Sequence, residues 1–189
     1  MTETGLLVVL AGPSGVGKGT VHRRLREDLA DVELSVSVTT RPPRPGEQDG
    51  VDYHFVDRPT FEAMAEDGRL LEWAEYAGNL YGTPRVPVDQ AVAGGRLVLL
   101  EIEVQGALQV IERVPGALTV FLVPPSWEEL ERRLRDRGTE DEATVARRLE
   151  TARHELAQRT AFDHQVVNDD LDGCVAEVRR LIEQARTPA

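Results

Sequence analysis

Lysine is almost missing from this chain. Of its 22 Lys and Arg residues, only Lys18 is lysine. Arginine is a bulky planar fork and lysine a compact charge on a flexible stem, so a chain that uses arginine everywhere else marks Lys18 as a position where the fork does not serve. Cysteine is equally scarce. Cys174 stands alone, which excludes an intrachain disulfide and a cysteine-rich zinc site. Long apolar runs are absent too: Met1 to Gly5 carries no basic stretch, and Leu6 to Ala11 is too short for a signal peptide or a membrane span. The expected compartment is therefore the cytoplasm, with no membrane partner. Positive charge is the last deficit. Against 33 acidic residues the net charge is −11 and the pI near 4.9, a field that repels a phosphate backbone and argues against nucleic acid as a partner.

What remains is ordinary for a folded protein. At 189 residues, 41% hydrophobic and 29% charged, the chain can bury a core of its own and suits one domain with small inserted lobes. A monomer and a homo-oligomer both stay open.

Periodicity orders the elements. Leu6 to Ala11, Leu97 to Ile102 and Leu118 to Val123 are apolar runs of strand length, and His164 to Asn168 is a shorter one. Between or after them, helical spacing covers Gln105 to Arg113, Trp127 to Arg137, Glu142 to Arg159 and Leu171 to Arg186, and Val21, Leu25 and Leu29 recur at the same spacing near the start. Ser126 with Glu129 and Thr139 with Glu142 fit the capping box, and Thr83-Pro84 reads as an N-cap followed by proline at the first helical position. Strands alternating with helices predict an α/β fold, a doubly wound and mostly parallel sheet built from residues 1–34, 96–125 and 160–189. Residues of about 35–95 break the rhythm with a proline-rich loop, Arg41 to Gly46, the alternating Tyr53-His54-Phe55-Val56 and a helix near Pro59 to Asp67. They read as an inserted lobe. The arginine-rich helical stretch of about 126–159 reads as a lid.

Gly12-Pro13-Ser14-Gly15-Val16-Gly17-Lys18 follows a predicted strand and opens a predicted helix, the context a phosphate-binding loop requires. Its glycines let backbone N–H groups converge on an anion, the helix start adds partial positive charge, and Lys18 reaches the outer phosphates. Gly19 stands where Ser or Thr usually meets Mg²⁺, with Thr20 one residue later. The run Gly17-Lys18-Gly19-Thr20 is similar to that of adenylate kinases. Further on, Arg41 and Arg44 flank a proline-stiffened turn, and two planar forks suit a phosphate dianion, with Tyr53 and Tyr81 as added O–H donors. Solvated loop charge is the other reading of that pair. His22, His54, His154 and His164 share no spacing and read as surface or structural.

The stretch from Thr39 to Val56, TTRPPRPGEQDGVDYHFV, resembles the guanylate kinase signature. Leu71-Glu72-Trp73, Gly78 to Gly82, Glu101 to Gly106, Arg137 to Glu140 and Val167 to Asp170 continue the match in order. The resemblance covers nearly the whole chain and implies ATP-dependent phosphorylation of GMP, with dGMP sharing the base, by in-line phosphoryl transfer. ATP is the co-substrate and Mg²⁺ the cofactor. It places the donor on residues 12 to 20, Arg137 and Asn168, and the acceptor on Ser37, Arg41, Arg44, Glu47, Tyr53, Glu72, Tyr81, Thr83 and Glu103. Glu103 departs from the Asp usual in the family. Guanine presents N–H donors at N1 and N2, so a carboxylate at Glu72 accepts both and repels the lone pair of adenine. Neighbouring Trp73 reads as core. Lys18, Arg41, Arg133, Arg137 and Arg148 are implied to hold the moving group, and Thr20 and Glu101 to hold the metal, Glu101 through water.

Spacing supports part of the lid assignment. Arg133 and Arg137 fall one turn apart, and an anion would relieve their repulsion, although Glu129, Asp136 and Glu140 are available as partners. Three rivals remain to be weighed. A phosphopeptide-binding module has no need of an intact phosphate loop. A small GTPase needs an Asn-Lys-x-Asp motif, which a chain with one lysine inside its phosphate loop cannot hold. A kinase of phosphorylated sugars has no use for Glu72.

Overall fold

The computed structural model describes residues 5–29, 31–33, 35–76, 78–136 and 142–187. Its centre is a five-stranded sheet in the order β2-β7-β1-β8-β9, formed by β1 (Leu6–Ala11), β2 (Val32–Glu33), β7 (Leu97–Glu101), β8 (Leu118–Val123) and β9 (His164–Val167). Every pairing in it is parallel. All six residues of β1 are buried, which is why that strand reads as an unbroken apolar run rather than an alternating one. Successive side chains serve opposite faces. Leu6, Val8 and Leu10 pack with α1 (Lys18–Asp28) and α7 (Leu171–Arg186), and Leu7, Val9 and Ala11 with α3 (Arg85–Ala93) and α4 (Val104–Arg113).

A second sheet, in the order β4-β3-β6-β5, comprises β3 (Val38–Thr39), β4 (His54–Phe55), β5 (Leu70–Tyr76) and β6 (Asn79–Pro84). Its own small core of Val38, Phe61, Leu70 and Leu80 lies under α2 (Arg58–Glu66), which Asp57 caps by accepting from the Thr60 N–H at 2.9 Å. This sheet lies within the stretch read as an inserted lobe, and its last strand ends at Pro84. The helix that follows, α3, buries Val88 and Ala91 against the large sheet. The lid region holds α5 (Trp127–Arg135) and α6 (Glu142–Ala157), joined by a small apolar cluster of Leu130, Leu134 and Ala152.

Several expectations change here. Thr83 does not cap a helix: it lies inside β6, opposite Glu72, and Pro84 precedes α3 without a side-chain cap. The pairing is made by tertiary contact, which overrides the local Thr-Pro signal. At Ser126 only half of the capping box forms. The hydroxyl accepts from the Glu129 N–H at 3.1 Å, but the Glu129 carboxylate turns to Arg132 and Arg133, each at 2.7 Å. Trp73 is not core; it is 38% exposed. Thr139 lies outside the described residues. No described helix is long and apolar enough to cross a membrane.

Candidate active site

The chemistry gathers at the carboxyl ends of the parallel strands, where an open α/β sheet leaves its crevice. β1 runs into the loop 12–17, and Gly15 and Gly17 adopt φ values of 87° and 99°, a left-handed geometry that side chains resist. Val16 is fully buried and pins the loop to the core. From below, the Asn168 amide donates to the Val16 carbonyl at 2.7 Å. Arg133 donates to the Asn168 carbonyl at 3.2 Å and pairs with Glu129 at 2.7 Å. Lys18, only 8% exposed, folds over the loop and donates to the Gly12 carbonyl at 2.7 Å, with Glu103 at 3.5 Å.

Helix α6 grips the loop from the other side. Arg148 donates to Ser14 Oγ at 2.6 Å, and the Ser14 N–H donates to Glu155 at 3.4 Å. Glu155 is absent from the sequence reading. Its position seven residues after Arg148 puts both on one helical face, and that spacing was the available signal. Burial, with Glu103 nearby, pushes its carboxyl up.

Two cavities meet in front of the loop. One of about 310 Å³ is lined by Lys18, Ser37, Tyr53, Glu72, Tyr81, Glu101 and Glu103, among others. The other, of about 610 Å³, shares Glu103 and Tyr76 with it and reaches Ser14, Arg148 and Glu155. Glu72 is 5% exposed and accepts from the Thr83 hydroxyl at 2.5 Å. Burial pushes its carboxyl up, opposed by the Thr83 hydrogen bonds and by Arg113. A bulge between Leu70 and Glu72 shifts the strand's alternation and turns Glu72 inward.

The arginine pair sits in the turn it was read from, with Arg41 held inward. Arg41 does not point an open fork outward. Its guanidinium closes on Glu47 at 2.8 and 3.0 Å and lies 5.5 Å from the Tyr53 ring centre. Glu47 also accepts from the Arg44 N–H at 2.7 Å, and these bonds hold its carboxyl below the usual range. The Arg44 side chain is exposed and lines neither cavity. Arg137 lies outside the described residues. Thr20 is exposed on α1, and His22 is half-buried beside Glu101 at 3.8 Å, its pKa lowered chiefly by burial.

Among the described residues no group of three or more His, Cys, Asp or Glu could cage a metal ion. Mg²⁺ keeps its waters and needs only one or two carboxylates plus phosphate oxygens, and Glu101 and Glu103 on the smaller cavity are carboxylates of that kind. Glu101 closes β7 as its one exposed residue, and a Cβ at Gly19 would only touch it, at 3.4 Å from Oε1.

Comparisons with known proteins agree with one another. A family model described as guanylate kinase matches residues 4–185. A guanylate kinase from Thermobifida fusca is 56% identical over 181 residues, spanning 96% of this chain and 92% of that protein. One from Synechococcus sp. (strain JA-3-3Ab) is 54% identical over 94% of this chain and 82% of its own length. The crystal structure of guanylate kinase from Anaplasma phagocytophilum superposes with a TM-score of 0.79 at 34% identity, covering 99% of this chain and 89% of that one.

Proposed function

The chain belongs to the guanylate kinase family and carries out ATP-dependent phosphorylation of GMP, and we propose the following division of that work among its residues. GMP occupies the smaller cavity. Its guanine lies against Glu72, whose carboxylate accepts from the N1 and N2 hydrogens, with Thr83 holding the carboxylate from behind and Ser37 and Glu103 at the rim. Its phosphate is taken by Arg41, Arg44, Tyr53 and Tyr81, and Glu47 holds Arg41 folded until the anion arrives. A dianion offers a planar fork more charge than one carboxylate does, so the substrate displaces Glu47.

ATP lies on the loop of residues 12 to 20, with Asn168 securing the loop and Arg137 completing the donor side. The acceptor oxygen is already ionised, so no protein base is required. Positioning and neutralisation of charge dominate such transfers. Lys18 leaves the Gly12 carbonyl for the phosphates, and Arg133, Arg137 and Arg148 surround the moving group. Glu101 and Thr20 would hold Mg²⁺ beside the donor phosphates, where the ion would supply further neutralisation of charge. Closure of the lobe and lid over the cavities excludes water, which otherwise competes as acceptor.

The observation that carries this reading is a buried carboxylate, Glu72, on the same cavity as Lys18 of the phosphate loop. A phosphopeptide module has no need of the second, and a sugar-phosphate kinase none of the first. The test is a coupled assay with each nucleoside monophosphate. GMP is expected to exceed AMP in kcat/KM by on the order of 10⁴, the range for a site built to pair with a substrate's donors. Equal rates for GMP and AMP would remove Glu72 from base selection.

A further inference from the structure

Gly106 is the third residue of α4 and is buried. Glycine at such a position costs a helix as much as about 1 kcal/mol relative to alanine. Its φ is not among the positive values, so the backbone does not call for it. The space does. A Cβ built at Gly106 would overlap Glu72 Oε2 and lie 3.1 and 3.5 Å from Glu72 Cδ and Cγ, and these are its three nearest atoms. The nearest atoms that keep residue 106 bare all belong to Glu72.

Glu72 has little freedom to step aside. Its Oε1 is held by Thr83, and the strand on either side of it is tied to α4. Arg113 donates to the Leu71 carbonyl at 2.9 Å, and Gln109 pairs with Trp73 through both its amide groups, donating to the carbonyl at 2.7 Å and accepting from the N–H at 3.3 Å. Gly106, Gln109 and Arg113 stand at i, i+3 and i+7, one face of the helix. Two of them fix the backbone flanking Glu72, and the third gives its carboxylate somewhere to lie. A methyl group at 106 therefore moves the carboxylate, because the strand cannot move.

We propose that Gly106 is a positioning residue for base selection: its missing side chain seats Glu72 against α4, so that the opposite edge of the carboxylate faces the acceptor cavity. The proposal rests on the assignment of Glu72 to guanine, and the test separates the two. Gly106→Ala, Glu72→Ala and the double variant are compared with the parent chain for GMP and ADP affinity by calorimetry, GMP-to-AMP selectivity, and melting temperature without ligand.

Glu72→Ala is expected to lose selectivity. Gly106→Ala is expected to weaken GMP by on the order of ten-fold or more and lower the selectivity ratio, with ADP affinity kept. In the Glu72→Ala background the added methyl enters vacated space, so Gly106→Ala should cost GMP affinity nothing further and leave melting unchanged or higher. Selectivity lost in Glu72→Ala but intact in Gly106→Ala overturns the proposal alone. So does an equal loss from Gly106→Ala in both backgrounds, which marks a general packing defect. Selectivity intact in Glu72→Ala overturns the assignment of Glu72 and the proposal with it. Should Gly106→Ala fail to fold, the double variant decides: melting at or above that of Glu72→Ala supports the clash with Glu72, and melting below it overturns the proposal.

Discussion

Glu72 shows how one side chain sets function against stability. Its burial raises the carboxyl pKa despite the Thr83 hydroxyl. For an acid whose folded pKa lies above its unfolded one, the native state holds the proton more tightly. The cost of the buried charge is absent below the unfolded value, grows as pH rises through the interval, and is full above the folded value. Glu72→Gln keeps the shape and can still accept from Thr83, so thermal melting at neutral pH should rise, with the gain over the parent chain shrinking toward about pH 4, where the parent glutamate is also neutral. A gain that stayed constant with pH would trace to packing instead. At this scale much was legible from residue type. Lys18 stood out by being the sole lysine, and the loop around it has the geometry its glycines require. Asn168 was less so, because which atom its amide would meet depends on Val16, 152 residues earlier in the chain.

Among the elements, α4 does more than cover the sheet. β5 is an edge strand of the small sheet, and an unpaired edge invites other chains. The side chain of Gln109 occupies that edge at Trp73 in the manner of a neighbouring strand. Gln109→Ala removes both bonds and should destabilise the protein by about 1–2 kcal/mol, at roughly 1 kcal/mol for each. Faster amide exchange should be confined to β5 and β6. Uniform exchange with unchanged stability would show that the edge does not depend on Gln109. Elements with long, clean periods were readable in advance: Leu171–Arg186 and Leu118–Val123 have the expected bounds. The small sheet was not. β3 and β4 are two residues each, too short to show a period, and Thr83 faces Glu72 only because a bulge eleven residues upstream resets the register. That Arg41 pairs with Glu47 was not readable either, since the contact depends on how the turn six residues on folds back.

For the molecule as a whole, the doubly wound architecture was legible because β1 and its neighbours are buried on both faces and read as apolar runs. That α3 packs on the large sheet was not, because it follows the small sheet in sequence. The chain also carries 33 acidic residues against 22 basic ones, yet binds two anions. Attraction must then be local, concentrated where lysine and arginine converge on the crevice, while the remaining surface opposes it. One consequence is practical. Mild acylating reagents attack unprotonated amines, and the one lysine here is 8% exposed where it folds over the phosphate loop. Acetylation followed by peptide mass mapping should find Lys18 modified slowly, and more slowly still with saturating ADP. Equal labelling with and without nucleotide would mean that the ammonium group does not meet the phosphates, and a chain that carries its only lysine there would be spending it on the fold alone.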